Sequence, residues 1–167
     1  MADNMQAWSL MEYDNLADAK TALKSMAKTA CLSCADYPAE CVYAFEKGSR
    51  GIIVQDSRSG LKPSVLEYGG RIWVGTNFCI ACFDAELNQL QDIAVSAPVY
   101  SFLCSEENDR IIAVCEIDIF CFDTSGNLLW HKPLDDIVSR YSLQGSRFTC
   151  TLFEGGSFSA DITALKK

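Results

Sequence analysis

"RIIAVCEIDIFCFDTSGNLLW" (residues 110–130) reads as two strands, a tight turn and the start of a third, and 39 residues earlier stands "RIWVGTNFCIACFDAELNQLQ" (71–91). With Arg71 laid on Arg110, Ile72 meets Ile111, Ile80 meets Ile119 and Cys82 meets Cys121. Phe83-Asp84 then meets Phe122-Asp123, Asn88 meets Asn127 and Leu90 meets Leu129. A third copy opens at Arg147, "RFTCTLFEGGSFSAD", where one extra turn residue sets Phe158 opposite Phe120 and Asp161 opposite Asp123. Upstream, "VYAFEKGSRGIIV" (42–54) echoes "VYSFLCSEENDRIIAV" (99–114). Two full units and two partial ones at a fixed spacing signal a repeat architecture.

Each unit reads as β. β-Branched and aromatic residues fill the runs, and short polar turns break them. Ser125-Gly126-Asn127 and Gly155-Gly156 supply turn chemistry. The aspartate that ends each "FD", at Asp84, Asp123 and Asp161, suits a side chain that bonds its own turn. That structural role is expected in place of catalysis. The recurring Arg50, Arg71, Arg110 and Arg147 enter a strand after a turn, as edge residues or as a stacked row on one face.

The order strand, turn, strand, "FD", turn, "GNLLW" resembles a blade of the quinoprotein-type (PQQ-like) β-propeller family. "FCFDTSGNLLW" is the close match; "AELNQLQ" at 85–91 departs from it, with neither the glycine nor the tryptophan. The resemblance covers about 42–165, is one of architecture, and carries no quinone site. It implies a mainly β fold of antiparallel propeller-like units, about three blades, set as an incomplete propeller or as stacked sheets. A closed propeller takes about four blades or more. The organisation expected is one domain over 1–167, with a helix and connection in 1–41 and β repeat units in 42–167.

Ahead of the repeats, Leu16, Ala19, Leu23 and Met26 recur at helical spacing, and Lys20, Lys24 and Lys28 line another stripe. A helix is predicted over about 14–29, started by Asp14, with its apolar side on a sheet face or edge that an unclosed stack leaves open. Residues 31–41, "CLSCADYPAEC", read as a connection.

Hydrophobic residues make up 49% of the 167, too many for a disordered chain. No apolar run approaches the roughly 18 residues of a membrane span, and "MADNMQAWSLMEYDN" lacks the basic-then-apolar order of a secretory signal. With nine cysteines, several inside apolar runs, reduced buried thiols and a cytoplasmic location are expected. The net charge of −8 disfavours nucleic acid and membrane, and reads either as attraction to a basic partner or as ordinary solubility.

Chemistry is sparse. Cys31/Cys34 and Cys79/Cys82 have the gap of a zinc pair, but the second pair breaks in the next unit, where Asp118 stands for Cys79. Residues three apart on a strand also point to opposite faces. Cys31, Cys34 and Cys41 lack a fourth ligand, and Cys31 follows a helix where a redox motif wants to precede one. The lone His131 has no paired nucleophile. No catalytic residue, cofactor or metal is expected. The acidic turn residues Glu86, Glu106, Glu107, Asp109, Glu116, Asp118, Asp135 and Asp136 are expected to align on one rim as a partner-binding surface.

A small, acidic chain without catalytic machinery resembles the immunity proteins that bacteria carry against toxins of contact-dependent inhibition and related polymorphic systems. That resemblance, one of character, implies an inhibitor of a basic toxin domain, such as a nuclease, that occludes its active site. The alternative is a self-assembling propeller-like scaffold, or a ligand sensor. Monomer and dimer both stay open.

Overall fold

The computed structural model describes residues 7–34, 36 and 38–164, and in them the repeats become a row of four sheets. The first holds β1 (Ser9–Tyr13), β3 (Cys41–Lys47), β4 (Arg50–Asp56) and β2 (Lys28–Leu32), side by side in that order. The second runs β5 (Ser64–Tyr68), β6 (Arg71–Gly75), β7 (Cys79–Asp84), β8 (Gln89–Ala94). The third runs β9 (Val99–Ser105), β10 (Arg110–Cys115), β11 (Asp118–Asp123), β12 (Leu128–Pro133). The fourth has only β13 (Val138–Gln144), β14 (Arg147–Leu152) and β15 (Ser157–Asp161). Material expected for about three blades thus makes four sheets, because β1 and β2 complete a sheet around the partial upstream unit.

The repeat is register-true. Arg71 pairs with Asp84, Arg110 with Asp123 and Arg147 with Asp161 across successive hairpins. Phe83 lies opposite Ile72, and Phe122 opposite Ile111. Each aspartate closes its turn as the sequence predicts. Asp84 accepts from the amides of Glu86 and Asn88, both at 2.9 Å, and Asp123 from the amide of Asn127 at 2.8 Å. Leu87 stands where the next unit has Gly126; both have positive φ, 65° and 97°. Leu87 tolerates that conformation because its side chain is buried between the first two sheets.

Alternation sends each strand's side chains to two neighbours. Ile72, Val74 and Phe83 face back to Tyr43, Phe45, Ile52 and Val54 of the first sheet. Trp73, Ile80 and Cys82 face forward to Ile111, Ala113 and Phe122 of the third. Ile112, Val114 and Cys121 meet Phe148, Cys150 and Ile162 of the fourth. Trp73, Phe122 and Phe148 are fully buried, each contributing about 1.5–3 kcal/mol or more by leaving water. Among the described residues no core cluster joins the first sheet to the fourth, so the row is an open arc.

The first sheet departs from the repeat. The echo of 99–114 in 42–54 suggests equivalent strands, yet β9 is an edge strand and β3 a central one. β2 pairs with β4 in parallel, the exception to an antiparallel plan. The predicted helix is shorter than 14–29: α1 spans Leu16–Ala22, and its cap is not Asp14 but Asn15, whose Oδ1 accepts from the amide of Asp18 at 2.9 Å. Its second half is lost because β4 offers an edge, and Lys28–Leu32 gains backbone pairing there. The apolar stripe survives the shortening. Leu16, Ala19, Leu23 and Met26 all pack on Val42, Ala44 and Ile53, the sheet face away from the repeats. At the other end, the outward positions of the fourth sheet are polar: Arg140, Ser142, Arg147, Thr149, Ser157 and Ser159. A helix closes one end of the stack and a hydrophilic face closes the other, as terminal repeats require.

Candidate partner-binding surface

Antiparallel alternation puts successive turns at opposite ends of the strands. The β7–β8, β9–β10, β11–β12 and β13–β14 turns share one end. The other end collects the β8–β9 loop, the β10–β11 turn, the β12–β13 loop and the β14–β15 turn. The eight predicted carboxylates therefore do not make one rim. Glu86, Glu106, Glu107 and Asp109 lie at the first end, and Glu116, Asp118, Asp135 and Asp136 at the second. The expectation of a single rim neglected that a residue in one hairpin turn and a residue in the next are a full strand length apart.

The two ends differ in charge balance. At the first, acidic side chains share space with the arginine row and with basic partners: Lys28 pairs with Glu86 at 3.1 Å, and Lys47 and Arg50 hold Glu67 at 2.6 and 3.0 Å. The second end carries Glu116, Asp135, Asp136 and Glu154 around two exposed apolar side chains, Ile137 (40% exposed) and Phe153 (78%).

Backbone hydrogen bonds stitch this second end together from sheet to sheet. The Glu116 amide donates to the Pro98 carbonyl at 2.9 Å, and the Val138 amide to the Glu116 carbonyl at 2.8 Å. The Phe153 amide donates to the Ile137 carbonyl at 2.8 Å. Asp136 ties the last two loops: one carboxylate oxygen accepts from Ile137 at 2.7 Å, the other from Glu154 at 2.6 Å. The result is a braced platform on which Phe153 stands out, so little conformational entropy is left to lose on contact. An aromatic this exposed on a rigid frame, ringed by carboxylates, has the make-up of an interface anchor. Sequence reading missed Phe153, Ile137 and Glu154. The only signal was "TLFEGG", where Phe153 lies past the end of the alternating strand and hence outside the core pattern.

Asp118 is not a surface charge. It is 5% exposed, accepts from Ser96 Oγ at 2.9 Å, and lies 2.7 Å from His131 Nε2. The His131 ring stacks on Phe120, centroids 4.2 Å apart and planes 8° from parallel. The carboxylate sits between serine and histidine: the serine hydroxyl donates to Asp118 Oδ2, and the imidazole meets the other oxygen, Oδ1. The cluster ties the β8–β9 loop to the third sheet.

The cysteines divide as strand geometry dictates. Cys79 packs toward the first sheet and Cys82 toward the third, so their sulfurs cannot share an ion. Burial pushes the Cys79 thiol up to about 12 and the Cys82 thiol to about 11, which leaves both protonated at neutral pH. Cys31 is exposed on β2 while Cys41 is buried on β3. No helix of the described residues is long and apolar enough to cross a membrane.

No family model matches the sequence, and no curated protein matches it. Solved structures do. The chain is similar to the computationally designed Ika4 protein, with TM-score 0.52, 9% identity, 66% of this chain and 72% of that one. It is similar to the designed Ika8 protein (0.52, 11%, 75% of this chain and 44% of that one). It is also similar to the dihydro-heme d1 dehydrogenase NirN (0.50, 13%, 80% and 34%). The chain thus spans less than half the length of the last two. At these identities the likeness is one of β-propeller fold alone.

Proposed function

We propose that the protein is a binding module for a basic protein partner, and that it grips that partner with the braced end of the third and fourth sheets. Phe153 carries the reading: a phenyl ring 78% exposed, on a turn whose backbone is hydrogen-bonded to the β12–β13 loop, with Glu154 next to it in the chain and Asp136 bonded to the same turn. The aromatic would supply the anchor. Glu116, Asp135 and Glu154 would supply the steering field and the discrimination against acidic surfaces. Within this reading, the partner we propose is a toxin domain with nuclease activity, since an enzyme that holds phosphate presents the complementary charge.

The test compares captures from the native cell by the wild-type chain, by Phe153→Ala and by the Glu116→Lys, Asp135→Lys, Glu154→Lys triple variant. A basic protein held by the wild type and lost from both variants supports the reading. Its equal retention by both, or a partner that is acidic, refutes it. Co-expression with the captured partner then tells an inhibitor from a scaffold: an inhibitor abolishes that partner's activity at equal molar amounts.

A further inference from the structure

Among the described residues the fourth sheet has three strands where each of the other sheets has four. β8 and β12 close the outer edges of the second and third sheets, whereas β15 has β14 as its only neighbour among the described residues. Beside the place of the absent strand lies a cavity of about 290 Å³, lined by Trp130, Lys132, Phe158, Ala160, Asp161 and Ala164. Trp130 meets Phe158 edge-on, centroids 6.4 Å apart, and Lys132 Nζ stands 5.9 Å from the centre of the same ring. Among the described residues Lys132 makes no ion pair.

The third sheet shows what such a place takes. There β12 pairs with β11 so that His131 lies opposite Phe120 and stacks flat on it. Phe158 is the fourth-sheet counterpart of Phe120: Phe120 lies opposite Ala113 and Phe158 opposite Cys150, at matching steps of their hairpins. Among the described residues its ring meets Trp130 and Phe148 only at steep angles, 68° and 51°, and has no flat partner of this kind.

We propose that an extended segment of a partner polypeptide adds to β15 as an antiparallel fourth strand and lays an aromatic side chain on Phe158, inside this cavity. Main-chain bonds to the free edge would supply affinity and alternate side chains the selectivity. Charge sets the direction and pattern of the guest. A strand antiparallel to β15 passes Asp161 first and Lys132 last. The segment that fits is basic at its N-terminal end, apolar then aromatic at alternate positions, and acidic at its C-terminal end. The site is separate from the Phe153 platform and does not depend on the reading given to that platform.

The probe is the peptide Lys-Val-Thr-Phe-Thr-Glu, capped at both ends and titrated into the full chain by NMR. Expected are saturable shifts and slowed amide exchange in Ser157–Asp161. Replacing the peptide's phenylalanine by alanine should weaken binding by about tenfold or more. N-methylating its edge-facing amides should abolish it. Lys132→Glu, at an exposed side chain, should reverse the preference between this peptide and one ending in lysine. Ala160→Trp should fill the cavity and abolish binding. Absence of saturable shifts overturns the proposal, as does indifference to N-methylation or to Lys132→Glu. Shifts confined to Phe153 and Ile137 overturn it too, and leave the platform reading standing.

Discussion

Arg71 Nε donates to the backbone carbonyl of Thr124 at 3.2 Å, from the second sheet to the first turn residue after Asp123 in the third. Arg50 does the same one sheet earlier, its guanidinium 3.4 Å from the carbonyl of Ala85, the residue after Asp84. The recurring arginine is therefore an inter-sheet strut. The series stops at Arg110, whose Nε is buried without a partner and whose Nη1 turns back to donate to the carbonyls of Asn108 and Asp109. Arg147 lies on the fourth sheet, and among the described residues no sheet stands ahead of it.

This ordering makes the arginines unequal. Arg71→Met removes a charged donor from a half-buried carbonyl and should cost about 1.5–3 kcal/mol in urea unfolding. Arg147→Met touches an exposed side chain and should stay within about 0.5 kcal/mol. Arg110→Met loses its own two hydrogen bonds but also removes an orphaned donor, so it should cost less than Arg71→Met. Equal costs at 71 and 147 would remove the strut from the account.

Glu67 gathers the first two sheets at the same end. Lys47, Arg50 and the indole of Trp8 all donate to its carboxylate, at 2.6, 3.0 and 3.1 Å. Burial pushes its carboxyl up, but the hydrogen bonds and charges of Lys47 and Arg50 outweigh burial and hold it below the ordinary range. A lowered native value means stability that is present above the unfolded value, about 4.3, and lost as pH falls through the native one. Glu67→Gln should therefore cost about 1.5–3 kcal/mol at pH 7, and the gap from wild type should close in acid. A gap that widens in acid would mean the sign is wrong.

What the sequence made legible was whatever repeats within a hairpin. The bonded turns after each "FD" and the equivalence of Ile72 with Ile111 and of Phe83 with Phe122 are local, and the spacing carries them. What it hid depends on neighbours far along the chain. Lys28–Leu32 continues from a helical stripe and has no strand alternation of its own, and becomes a strand only because β4 leaves an edge free. The end of the stack on which a turn lies follows from counting strands, since each strand carries the chain from one end to the other, and a repeat spacing of one whole unit does not display that alternation. Phe153 was invisible for a simpler reason: apolar letters are read as core, and exposure is not written in composition.

The split of the acidic residues separates two variants that sequence alone would have paired. Asp118→Lys places a cation where a buried carboxylate receives Ser96 and lies against His131, and should lower thermal stability by several degrees, with a loss of about 2 kcal/mol or more. Glu116→Lys changes a half-exposed side chain and should leave the melting temperature within about 1–2 °C. Scanning calorimetry checks both. Only the Glu116 variant is then a clean reporter of partner contact, and any loss of binding by Asp118→Lys reflects loosening of the β8–β9 loop.

The helix that caps the first sheet rests on one missing side chain. Where later units have Ile72, Ile111 and Phe148 after their arginine, the first has Gly51 after Arg50. Those larger residues face back toward the preceding sheet; at 51 no sheet precedes, and the helical Leu23 region takes its place. A methyl on Gly51 would sit 2.7 Å from Leu23 Cδ1 and 3.1 Å from Cδ2, inside contact distance for both. Leu23 is 2% exposed and packs on Ala44 and Ile53, so it has little room to withdraw. Gly51→Ala should overpack this seam and cost about 1–3 kcal/mol. Leu23→Ala alone should cost about 2–5 kcal/mol through the cavity it leaves. The double variant should lose less than the sum, because the new methyl fills part of the space the leucine vacated. A strictly additive pair would show that α1 already gives way to the methyl, and that the helix is a loose cover on the first sheet instead of a packed one.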